Sequence, residues 1–143
     1  MLLAQRLLEP ERAMLLLLDA TVRRHARLAG LLTTGRAVHA AHVELLEEAV
    51  PDQPAGSPSA SPGSPTPTTP APAAPAEEVT VPRQARAAVA GIARAEDRLA
   101  VLARRSAFAA ESGSFARVLA SMAAAATQQG VLMRGEASPE PPS

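Results

Sequence analysis

Four side chains in this sequence are of the types that hold a cation or build a buried acid–base cluster: Glu11, His39, His42 and Glu96. His39 and His42 stand three residues apart in GRAVHAAHVELLEE, a spacing that sets both imidazoles on one face of a helix. Glu11 and Glu96 each stand in long stretches of helical apolar periodicity. Imidazole nitrogens and carboxylate oxygens together suit a divalent ion such as iron, manganese or zinc. Without an ion, the same groups make a hydrogen-bonded cluster, because a buried charge is costly unless it is partnered. In that reading Arg94 or Arg98 is the expected partner of the acids.

The rest of the composition narrows the chemistry. The chain of 143 residues has no cysteine, which excludes disulfides, thiolate metal sites and a cysteine nucleophile. Its formal net charge is zero, all fourteen cations are arginines interspersed with acids, and only two phenylalanines could stack on bases, so no nucleic-acid partner is expected. Ser112 and Ser114 have no base beside them and read as turn and cap residues. Gly30, Gly35, Gly91 and Gly113 are isolated, so there is no phosphate-cradling loop. Arg6, Glu9, Glu11 and Arg12 interrupt the apolar N-terminus, and no run reaches the ~20 residues of a membrane span. No cleavable leader follows Met1, so the sequence as written reads as cytoplasmic, with export only if the true start lies upstream.

The four groups are positioned by helices. Residues 1–50 and 83–134 are rich in Leu, Ala, Arg and Glu with apolar spacings of three and four. Residues 51–82, PDQPAGSPSASPGSPTPTTPAPAAPAEEVTVP, have no stripe to bury and read as a disordered Pro/Ala/Ser/Thr linker, and 135–143 as a disordered tail. Each helical half is too long for one helix of a small domain. The second breaks at Glu111–Ser114, with Gly113 as the stop and Ser114 as the cap. The first breaks between Arg24 and Gly30, with Thr33–Gly35 as the rival. The expected helices are 3–24, 27–49, 83–110 and 115–133, with Pro10 near a first turn or at a kink.

Short turns make each half an antiparallel hairpin. Helix 2 is ~33 Å long, which an extended chain covers in about ten residues. The linker can therefore span the bundle and leave helices 2 and 3 parallel. The expected fold is all-α, a four-helix up-down bundle whose two hairpins share one core. Along the apolar stripes, Leu7 to Met14 passes Glu11, Leu32 to Leu45 passes His39 and His42, Ile92 to Leu99 passes Glu96, and Met122 to Met133 passes Ala126 and Gln129. Di-iron bundles take one Glu from each of two helices and a Glu-x-x-His pair from each of the other two. Glu11 and Glu96 match the first kind. His39-Ala-Ala-His42 has a His for the Glu, and Ala126-Thr-Gln-Gln129 has lost both ligands.

With these motifs, the stretches LLEPERAMLLLLDATVRRHARLAGLLTTGRAVHAAHVELL and AAVAGIARAEDRLAVLARRSAFAAESGSFARVLASMAAAATQQGVLM resemble the small ferritin-like domain proteins of high-GC bacteria, a family of largely unassigned function. The resemblance implies a ferritin-like bundle with Glu11, His42 and Glu96 at ligand-like positions. It departs from the pattern at His39, Ala126 and Gln129, which argues against an intact di-iron centre. The leading expectation is a non-catalytic binding or structural protein on a degenerate metal-site scaffold. The alternative is a protein that holds one divalent ion at Glu11, His39, His42 and Glu96. A homodimer or protein partner is a further expectation, with Leu15, Leu16 and Leu17 as an exposed contact.

Overall fold

A computed structural model describes residues 3–50 and 79–138, and these form four α-helices with no strand among them. They are α1 (Leu3–Arg24), α2 (Ala29–Ala49), α3 (Ala85–Ala109) and α4 (Gly113–Ala137), with one 3₁₀ turn, Ala26–Leu28, between α1 and α2. The linker reading for residues 51–78 and the tail reading for 139–143 lie outside the described residues.

The first break falls at the Arg24–Gly30 position. His25 leaves the helical region at φ −129° and ψ 70°, and its ring Nε2 meets the Pro82 carbonyl at 2.8 Å. The rival break, Thr33–Gly35, lies inside α2, where the Thr33 hydroxyl donates back to the Ala29 carbonyl at 2.7 Å. Pro10 lies in the interior of α1 rather than in a first turn. The carbonyl four residues earlier, at exposed Arg6, loses its helical donor but remains open to water. At the α3–α4 turn the cap is Ser112, not Ser114. The Ser112 hydroxyl accepts from the Phe115 amide at 3.4 Å, and Gly113 opens the helix instead of ending one. The chemistry of the cap is as expected, but it acts two residues earlier. Helix α4 runs on to Ala137, whose half-buried methyl packs on the core, and the Ser138 hydroxyl donates to the Arg134 carbonyl.

Two apolar clusters set the topology. Ala4, Leu7 and Leu8 of α1 meet Leu46, Ala103 and Leu119 at one end of the bundle, with Val50 packed against them. Met14 and Leu18 meet Leu32, Val89, Ile92 and Met133 at the other. The beginning of α1 therefore shares a level with the ends of α2 and α3 and the beginning of α4. Within each hairpin the helices are antiparallel, while α2 and α3 run parallel. The chain leaves α2 at one end and re-enters at Val79, before α3, at the other.

The hairpins close differently. Between α1 and α2, Arg12 reaches Glu47 at 2.7 Å and Arg36 reaches Asp19 at 2.6 Å, both on the surface. Helices α3 and α4 pack along most of their length through small residues. A Cβ added at Gly130 would come 3.4 Å from the Glu96 Cβ and 3.1 Å from Asp97 Oδ1. Asp97 in turn takes both of its hydrogen bonds from Arg134 Nη1, at 2.7 and 2.6 Å. No helix among the described residues is long and apolar enough to cross a membrane.

Candidate functional site

Between the two apolar clusters lies a polar layer. Helix α1 supplies Glu11, α2 supplies His39 and His42, and α3 supplies Glu96, and all four are buried. Each continues the apolar stripe of its helix by whole turns, so the periodicity that buries the leucines also points these groups inward. The expected inward positions on α4, Ala126 and Gln129, are buried as well.

His39 is the centre of the layer and is fully buried. Its Nδ1 lies 2.6 Å from Glu11 Oε2, and its Nε2 lies 2.9 Å from Glu96 Oε1. With both ring nitrogens facing carboxylates, both act as N–H donors, and the ring is an imidazolium. Burial alone disfavours that charged ring. The hydrogen bonds and charges of Glu11 and Glu96 outweigh burial and lift its pKa to about 9. Burial likewise pushes the Glu11 carboxyl up, but hydrogen bonds from His39 and His42 hold it below the ordinary carboxylate range. His42 Nδ1–H donates to the second Glu11 oxygen at 3.3 Å. The two imidazoles meet edge to face, with centroids 5.7 Å apart and planes at 89°.

One atom is left over. Glu96 Oε2 is buried and has no hydrogen-bond partner among the described residues. The expected arginines do not supply one. Arg94 and Arg98 are exposed on α3 and make no ion pair among the described residues, so the acids are partnered by histidines instead. An arginine on the flank of α3 keeps its charged head in water, whereas His39 is short enough to fit between three helices.

Glu11, His39 and His42 each offer one ligand atom, and these atoms all lie within 4.8 Å of one another. Glu96 joins through its bond to His39 rather than as a member of that trio. The wall opposite is made by α4. The Gln129 side chain packs against α2 where Gly35 has no side chain, and a Cβ built there would sit 3.5 Å from Gln129 Oε1. Sequence pattern did not identify Gly35 as part of the site, because an isolated glycine in a helix carries no periodic signal.

No protein-family model matches the chain, and no curated protein or solved structure matches it either.

Proposed function

We propose that the chain is a non-catalytic, ferritin-like bundle that holds one divalent cation in its polar layer, with Glu11, His39 and His42 as ligands once the His39 ring proton is displaced, and with Glu96, now bonded to His39, as the fourth group beside them. The observation that carries this reading is the convergence of Glu11, His39 and His42 ligand atoms within 4.8 Å at mid-bundle. The orphaned Glu96 Oε2 supports it, because a divalent ion would occupy its free lone pairs. Two nitrogen and two carboxylate donors suit zinc, manganese or ferrous iron. A second ion would need ligands on α4, where Ala126 offers none and Gln129 offers a neutral amide. The ferritin likeness rests on the parallel α2 and α3 and on the sequence resemblance.

The test is direct. After chelation and dialysis against zinc, manganese or anaerobic ferrous ion, the protein should retain one equivalent by elemental analysis. At an ion concentration about 100 times Kd the stability gain is about 2.7 kcal/mol, read as a melting-temperature rise of roughly 10 °C. His42→Ala, at the most accessible corner of the layer, should fold and lose most of that rise. No retained ion and no shift with any of the three would reject the proposal. A second reading would then stand, favoured by the two-sided bonding of His39: an ion-free layer in which the imidazolium serves as the cation.

A further inference from the structure

The second hairpin is the more basic part of the molecule. Residues 83–138 contain eight arginines against four acids. Along the outer side of α3 and α4 runs a surface groove of about 560 Å³, floored by Ala100, Ala107, Ala116 and Ala123. Arg104 on α3 and Arg117 on α4 stand on its two banks, both exposed and both without an ion pair among the described residues. Phe108, 87% exposed, sits at its rim. Its floor and rim are therefore apolar, and the charges beside them are positive.

The complementary surface is on the same molecule, on another side. Along the outside of α2, Glu44 and Glu48 are one turn apart and exposed, again with no ion pair among the described residues. Leu45 lies beside them on the same outer face, 47% exposed, and exposed Ala41 lies between Leu45 and the two acids. This is a narrow helical ridge with one apolar knob and two carboxylates. Its apolar knob and its two negative charges complement a groove with an alanine floor and flanking arginines.

We propose that the α3–α4 groove of one copy of this chain receives the outer ridge of α2 from a second copy, with Leu45 on the alanine floor and Glu44 and Glu48 facing Arg104 and Arg117. The two surfaces lie on different sides of the bundle, so the contact is heterologous. Each copy can give its ridge to one neighbour and its groove to another. Charge complementarity favours this occupant over an anionic membrane: the groove is concave, and its arginines flank the apolar floor instead of surrounding a protruding apolar face. The proposal does not involve the polar layer.

Analytical ultracentrifugation of the full chain tests it. Wild type should associate at about 50 mM salt and dissociate substantially by about 500 mM, where charges beyond a few ångströms are screened. The pair Arg104→Glu with Arg117→Glu should weaken self-association by at least about tenfold, and so should Glu44→Arg with Glu48→Arg. A mixture of the two double variants should associate again, because each offers the other a matched ridge and groove. Circular dichroism and melting temperature confirm that each variant is folded. A wild type that stays monomeric at low salt, double variants that associate as wild type does, or a mixture that fails to recover would each overturn the proposal. Co-sedimentation of wild type with phosphatidylserine vesicles in place of self-association would also overturn it.

Discussion

Replacing His39 by Leu removes the one cation between two buried carboxylates while keeping a side chain of similar size. Glu11 Oε2 and Glu96 Oε1 then lose their 2.6 and 2.9 Å donors, and the Glu96 carboxylate is left accepting no hydrogen bond from the described residues. Breaking a buried pair by removing one partner costs about 3–5 kcal/mol. A domain of this size has a total stability of roughly 5–15 kcal/mol. At about 4 °C per kcal/mol the melting temperature should fall by roughly 12–20 °C. The assay is thermal unfolding by circular dichroism, near pH 6 and with a chelator present. The decisive companion is Glu11→Met/His39→Leu/Glu96→Met, in which the charges leave together and apolar side chains fill the layer. That triple variant should recover most of the loss, because exchanging a buried ionic cluster for well-packed apolar groups is commonly neutral or stabilising. If His39→Leu melted within about 2 °C of wild type, or if the triple variant were less stable than the single one, the charge argument for the layer would fail.

Two further outcomes follow from the same geometry. The His39 pKa is raised from 6.5 to about 9, so its stabilising contribution is complete below pH 6.5 and disappears as pH rises through 9. The Glu11 carboxyl is lowered, so its contribution is present above its ordinary range near 4.5 and disappears as pH falls below that. Stability of the ion-free protein should therefore peak between about pH 5 and 6.5 and decline by pH 9.5, and the alkaline decline should be absent in His39→Leu; a flat alkaline limb in wild type would contradict the assignment. Gly35→Ala should stabilise by about 0.5–1 kcal/mol, since the new methyl makes ordinary contact with Gln129 and helix propensity improves. Gly130→Ala should gain less or lose, because its methyl would crowd Asp97 at 3.1 Å. Chemical denaturation of both variants checks the order, and a Gly35→Ala protein less stable than wild type would refute the contact.

The four polar groups were legible because they interrupt apolar stripes at whole-turn intervals, and a stripe that buries Leu7 and Met14 also buries Glu11 between them. The break near His25 was legible from composition, although nothing local decided it against Thr33–Gly35. That decision comes from tertiary packing: α2 runs unbroken through Thr33–Gly35, with Gly35 buried against the Gln129 side chain. The partners of the acids were misread for a similar reason: charge alone nominates Arg94 and Arg98, and only geometry shows that they face water while His39 reaches both carboxylates. Of Leu15, Leu16 and Leu17, only Leu16 is exposed, at 56%. Consecutive residues on a helix point 100° apart, so a run of three leucines cannot present one outer face.

Three of the layer's polar groups come from the first hairpin and only Glu96 comes from the second. Sequences built so largely from alanine and leucine face many docking alignments of nearly equal apolar burial. If α3 slid by one turn, Ile92 or Ala100 would stand opposite His39, and the leucines would repack with little loss while the imidazolium lost one of its two anions. The single carboxylate of Glu96 thus acts as an address label, selecting one alignment of the hairpins from among competitors that greasy contacts alone would scarcely tell apart.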